Sequence, residues 1–157
     1  MSDLDRYIDV VYYEIWMFRR TYAHLNSPNP ERSKYNALIE SFIIHAYNLY
    51  RFFYQGEREK VKGVTKRRRP SDLIAEDFNI NRSYFRRNRT HKRLLKGIQK
   101  RRDKELAHLT KDRIYKRPET KIWNFGEIYR MVNNTVEVFL LALPEEDRKK
   151  FLSKLNQ

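Results

Sequence analysis

The chain has 157 residues, with 34 Lys plus Arg against 20 Asp plus Glu, four His and no Cys, for a formal charge of +14 at pH 7. That length suits one domain around one core, and the lack of cysteine excludes disulfide frameworks, thiolate zinc sites and cysteine nucleophiles. Four Gly and five Pro are few for a sandwich or barrel with many tight turns, whereas 14% aromatic residues are ample for a core, so the composition points to helices.

Ser2 is positioned to cap a first helix, with Asp3 and Asp5 at the positive end of its dipole. Leu4, Ile8, Val11, Ile15, Phe18, Tyr22 and Leu25 then follow at alternating four-three spacing, a continuous helical seam. Asn26, Ser27, Pro28 and Pro30 end it. A second helix is predicted from about Pro30 to Tyr54, with Tyr35, Leu38, Phe42, His45, Leu49 and Phe52 on one stripe and Ile39, Ala46 and Phe53 beside it. The short turn makes the two helices antiparallel neighbours.

After Gln55 and Gly56 the run EREKVKGVTKRRRP carries charge but no period and reads as a mobile loop. Ser71 and Asp72 are placed to cap a short turn through Leu73, Ile74 and Ala75, with Phe78 tucking back onto the bundle. Thr90 is the expected cap of a third long helix, whose inward side is marked by Leu94, Leu95, Ile98, Leu106 and Leu109. Asn124 caps a fourth, with Ile128, Met131, Val132, Thr135, Val138, Phe139 and Ala142 inward, and Pro144 starts a short final helix through Leu155. No run of alternating residues asks for a strand. The expected fold is all-α, an antiparallel up-down bundle of four main helices plus a short C-terminal helix, in a single domain over 1–157 with a basic loop insert at about 56–89. The start MSDLDRYIDV has no basic stretch followed by an apolar run, and no run of about eighteen apolar residues occurs, so a cytoplasmic protein with no membrane partner is expected.

The charge is unevenly spread. Residues 57–117 hold 22 Lys plus Arg and 8 Asp plus Glu, and the remainder holds 12 of each, so the whole excess lies in the middle of the chain. A solvated face is the ordinary reading of a basic run, but an excess confined between neutral flanks favours a phosphate-bearing partner.

One position on the third helix breaks its pattern. At about 100° per residue with Ile98 at zero, Leu95, Leu106 and Leu109 fall at roughly 20–80° and Arg102 at about 40°, inside the apolar stripe. A buried cation needs a partner, a cleft or a second chain over it. Glu105, three residues on, is a local partner. His108 follows on the flank of the same helix, about 120° away from Arg102 on an ideal helix. A second copy across a two-fold axis would bring Arg and His of two chains into one composite cleft.

RRDKELAHL, with Arg102, polar Asp103 and then His108, resembles the Arg-polar-x4-His motif of the HEPN superfamily, all-helical domains found in toxins and antiphage systems. The blocks ALIESFIIHAYNLYRFFY, LIAEDF, AHLTKDR and KIWNF resemble, in that order, an abortive-infection-like branch of the superfamily, over roughly Lys34 to Leu143. Two departures stand out. Tyr47 occupies the place two residues after the helix-two histidine where such relatives often carry arginine, and Ala107 stands where one variant has tyrosine before the motif histidine.

The resemblance implies a metal-independent endoribonuclease acting as a homodimer, with a protein inhibitor or antitoxin as a further partner. RNA carries its own nucleophile, so the protein need only take the 2′-OH proton and stabilise the phosphorane. Imidazole suits that task near neutral pH, and Arg101, Arg102 and Lys104 disfavour the charged form of His108, leaving a base. Arg102 would hold the scissile phosphate in a bidentate fork, and Asp103 or Glu105 would orient either group.

A wider nucleic-acid surface is expected from Arg101, Lys104 and Arg113, from Lys66, Arg67, Arg68 and Arg69, and from RSYFRRNR, where Tyr84 and Phe85 are interleaved with Arg82, Arg86, Arg87 and Arg89. Phe85 is expected rather to pin the segment to the bundle. His45 shares an apolar stripe and reads as a satisfied core residue, His91 as solvated, and His24 as a favourable helix-end cation. No histidine pair has metal-ligand spacing and no glycine-rich phosphate loop occurs, so no metal and no cofactor are assigned. Two other readings remain open: a non-catalytic RNA-binding module of the same fold, and an interaction subunit whose basic segment docks an acidic protein.

Overall fold

The computed structural model describes residues 2–28, 31–54, 58–61, 64–67, 72–81, 83–86, 97–99, 102 and 123–155, with backbone alone for Arg32, 58–61, 64–67 and Arg86. Helix α1 spans Asp3–Leu25 and opens with the expected cap. The Asp5 amide donates to Ser2 Oγ at 3.2 Å and the Ser2 amide donates to Asp5 Oδ2 at 3.0 Å, so two backbone groups that the helix leaves orphaned are satisfied reciprocally. The predicted seam is the buried face: Ile8, Val11, Ile15, Phe18 and Leu25 are buried, and Leu4 and Tyr22 pack against them.

Helix α2 spans Arg32–Tyr54. Glu14 of α1 reaches His45 and Asn48, Phe18 stacks on Phe42 at 5.0 Å and Tyr22 meets Phe42 at 5.9 Å, so α1 and α2 run antiparallel. Burial on α2 extends beyond the stripe and the flanking positions read from the sequence. Ile43 and Tyr47 are buried together with Phe42, Ala46, Leu49, Phe52 and Phe53, because α2 is covered on several sides and its apolar surface wraps around it.

Helices α4 (Phe125–Ala142) and α5 (Glu145–Leu155) close the frame. Asn124 caps α4 by accepting from the Glu127 amide at 3.1 Å, as its position predicts. Ile128, Met131, Val132, Thr135 and Phe139 are buried as expected and Ala142 is partly buried, but Val138 is 42% exposed and Val136 is fully buried in its place. Arg19 of α1 donates to Asn133 at 2.9 Å and to Glu137 at 2.6 Å, which holds the α4 face bearing those residues toward α1. Phe139 is the centre of the core, with the rings of Phe52, Phe53, Phe78 and Phe151 packed around it at 5.2–5.7 Å. Lys150 and Lys154 of α5 pair with Asp5 and Asp9 of α1 at 3.1 and 2.7 Å. Ser2 and Lys150 together hold the Asp5 carboxyl down to about 2.

The architecture is an all-α bundle with one addition that no alternation announced. Residues Arg58–Val61 (β1) and Val64–Arg67 (β2) pair antiparallel, with Val61 opposite Val64 and Arg58 opposite Arg67. Alternation marks a strand with one buried face, and a two-stranded ribbon can form on backbone pairing without it. Beyond the ribbon, Ala75–Phe78 form a 3-10 turn. The expected cap at Asp72 is replaced. The Asp77 carboxylate accepts from the Ile74 amide at 2.8 Å, while Asp72 pairs with Arg51 of α2 at 3.2 Å; Ser71 lies outside the described residues. Asn79 then takes a left-handed conformation with φ 59°, which asparagine tolerates better than most residues. Helix α3 is the single turn Ser83–Arg86. Of the third long helix predicted from Thr90, residues 97–99 and 102 are described, all in helical backbone, with Ile98 buried as expected.

Candidate functional site

Arg102 does not reach the centre of the core. Its guanidinium carbon lies 3.5 Å from the centroid of the Tyr47 ring, and its side chain is half-buried. Tyr47, where a second arginine was a family expectation, is instead the platform on which Arg102 lies. Such a contact contributes roughly 0.5–2 kcal/mol depending on desolvation. Glu105, the other partner considered, lies outside the described residues.

Tyr47 begins an aromatic row on α2. Tyr47 and Tyr50 rings are 6.2 Å apart, Tyr50 and Tyr54 are 5.3 Å apart, and Tyr54 meets Phe85 of α3 edge-on at 6.4 Å. The spacing of 47, 50 and 54 puts these rings on one helical face. The Thr135 hydroxyl lies 3.1 Å from the Met131 carbonyl, to which it can donate, and 3.2 Å from the Tyr54 hydroxyl, with which it shares a hydrogen bond. Burial raises the Tyr54 phenol above its ordinary value, partly offset by that hydrogen bond. The row therefore joins the helix bearing Arg102 to the turn bearing Tyr84.

On α3 the two aromatic neighbours divide their roles. Phe85 is 4% exposed and packs on Phe53 at 5.2 Å, so it anchors the turn as expected. Tyr84 is 65% exposed. Its amide donates to the Asn81 carbonyl, and the Ser83 amide donates to Asn81 Oδ1, which fixes the turn backbone below an outward ring. Arg86 closes the same turn. Lys66 and Arg67 stand on β2 opposite Glu59 and Arg58. Asp103, His108, Arg101, Lys104, Arg113, Arg68, Arg69, Arg82, Arg87 and Arg89 lie outside the described residues, as does His91.

His45 is a satisfied core residue, as its stripe predicted: it is 7% exposed, with Nδ1 2.7 Å from Glu14 Oε2 and the Tyr13 ring edge-on at 5.8 Å. Sequence reasoning overlooked its partner, although Glu14 sits on the flank of the α1 seam where a half-buried carboxylate could have been sought. It also overlooked the Arg51–Asp72 pair, for which no spacing rule exists across twenty residues and a change of element. Among the described residues no buried side-chain nitrogen or oxygen lacks a partner, no group of three or more His, Asp or Glu could hold a metal ion, and no helix is long and apolar enough to cross a membrane.

Compared with models of known families, with curated protein sequences and with solved structures, the chain matches none of them.

Proposed function

We propose that this chain is a HEPN-type domain acting on RNA, a metal-independent endoribonuclease of the toxin or antiphage-defence kind. The observation that carries the reading is the shared attachment to one face of α2: Arg102 lies on Tyr47 at one end of the aromatic row, and the α3 turn with exposed Tyr84 packs at the other. Both belong to the stretch 57–117, which holds the entire excess of positive charge. A single strand following that face would meet arginines for its phosphates and an aromatic ring for a base.

In this reading His108 accepts the 2′-OH proton, O2′ attacks phosphorus, and the 5′-oxygen leaves with a proton taken from water, to which the imidazolium then returns its own. The products are a 2′,3′-cyclic phosphate and a 5′-hydroxyl. Arg102 neutralises the charge that gathers on the phosphoryl oxygens, with Asp103 as its orienting neighbour, and a second copy completes the cleft in the cytoplasm. Purified protein should cleave RNA in EDTA, and His108→Ala should lower the rate by about 10²–10⁴, the usual contribution of a positioned base. Equal cleavage by parent and His108→Ala, or loss of activity in EDTA, overturns the reading.

One observation favours a second reading. A guanidinium stacked on a tyrosine also ties one helix to another, so Arg102 would serve the fold of an RNA-binding module without chemistry. Salt-sensitive RNA binding with no cleavage by the parent, and an Arg102→Ala variant that loses stability, would select it.

A further inference from the structure

Apart from the aromatic row, α1, α2 and residues 72–74 line a cleft of about 260 Å³ that carries two carboxylates and one guanidinium. Its inner walls are apolar: Val11, Leu49, Phe52 and Ile74 line it, and each is at most 6% exposed. Four polar side chains enter it, Glu14, Asn48, Arg51 and Asp72. Arg51 and Asp72 pair with each other at 3.2 Å, bridging α2 to residue 72 at the margin.

Glu14 is different. Its side chain is 21% exposed, and its carboxylate is held by His45 Nδ1 at 2.7 Å and by the Asn48 amide, which spans both oxygens at 3.3 and 3.2 Å. A carboxylate offers about four acceptor positions, and the long contact to Oε1 leaves capacity there. The carboxylate is thus held by two partners and lines the same cleft as the apolar walls. A charge in such a setting attracts an opposite charge more strongly than it would in water, and an apolar concavity with a few placed polar groups is the usual form of a small-ligand site.

We propose that this cleft binds an organic cation, an ammonium or guanidinium group on a short apolar body, with the charge on Glu14 and the body against Leu49, Phe52 and Ile74. Anions are refused by the same carboxylate. The cation arrives either as a free amine or as the Lys or Arg side chain of a protein. Val10, 55% exposed at the lip, is where a longer ligand leaves the cleft.

The test is a titration of the ¹⁵N-labelled full chain, followed by amide shifts, with benzylamine, benzyl alcohol and benzoate. Benzylamine should shift the signals of Glu14, Asn48 and Leu73 saturably, at least tenfold more tightly than benzyl alcohol, and benzoate should leave them unmoved. Glu14→Gln keeps the size and one acceptor oxygen and should abolish the preference for the cation. Val10→Lys, a lip change outside the core, should weaken benzylamine with an unchanged circular dichroism spectrum. Equal affinity for amine and alcohol, or an undiminished preference in a folded Glu14→Gln variant, overturns the proposal. A capped Gly-Arg-Gly peptide binding more tightly than benzylamine assigns the cation to a protein side chain, and the reverse order assigns it to a free amine. None of these readouts involves RNA, so the proposal stands or falls apart from the ribonuclease reading.

Discussion

The helical frame and the basic middle segment are held by different means. In the frame, long seams interlock over several turns. Phe139 meets three aromatic rings of the frame, Phe52, Phe53 and Phe151, and ion pairs tie α1 to α4 and α5. Among its described residues the segment is fastened at separate points: Phe78 and Ile80 after the ribbon, Phe85 on α3, Ile98 further on, and Arg102 on Tyr47. A domain can therefore place its stability in one region and its charge in another. Repulsion within a segment of 22 cations is tolerable when the fold does not depend on their close packing.

The largest effect that would break this comparison is in the frame. Phe139→Ala removes a fully buried ring and should cost about 3–5 kcal/mol in urea unfolding. Replacing Lys66, Arg67, Arg68 and Arg69 together by Ala should leave the unfolding midpoint nearly unchanged. The same variant should bind RNA more weakly and with a shallower salt dependence, by about 0.7 in logarithmic slope for each phosphate of a single strand that is no longer neutralised. A midpoint that falls as far as in Phe139→Ala would show that charge and stability are not separated.

Tyr84 and Phe85 sharpen the comparison within two adjacent residues. Tyr84→Ala should keep the fold and weaken single-stranded RNA binding by roughly 1–3 kcal/mol, with Tyr84→Phe close to the parent because the ring face is kept. Phe85→Ala should instead expose the turn to proteolysis, since it removes the packing against Phe53.

The smallest effect is at the chain start. Ser2→Ala removes the cap of α1 and should cost about 1 kcal/mol. The pH dependence follows from the same cluster. Asp5 is held at about 2, below its ordinary value of 3.8, so its contribution is present above about pH 4 and is lost as pH falls toward 2. Lys150 and Lys154 are raised by Asp5 and Asp9, so their contributions are present below 10.5 and lost at higher pH. Thermal unfolding should therefore show a plateau between these limits, and Ser2→Ala should move its acid edge upward.

Much of the frame was legible because a helical seam is a local signal. The spacing of Ile8, Val11, Ile15 and Phe18, the Ser2 and Asn124 caps, and Pro144 each act within a turn or two of their own position. Val138 was misread because two faces of α4 carry apolar residues, and only the approach of α1 through Arg19, Asn133 and Glu137 decides which is inward. The ribbon at 58–67 was missed because backbone pairing leaves no periodic mark. For the candidate site, Arg102 could be singled out as a cation inside an apolar stripe, and Tyr84 and Phe85 as aromatics among arginines. Their attachment to one face of α2 could not be read, since it depends on side chains tens of residues apart.

By itself, then, the sequence determined the helical class, the ends of α1, α2, α4 and α5, and the confinement of charge to the middle of the chain, all properties of neighbouring residues or of simple counting. Only the tertiary structure decided that Arg102 rests on Tyr47, that Tyr84 faces outward while Phe85 does not, and that Glu14, His45 and Asn48 meet beside an apolar cleft. Those outcomes depend on which helix faces pack together, and packing is settled by the sum of many weak contacts over the whole core rather than by any one local preference.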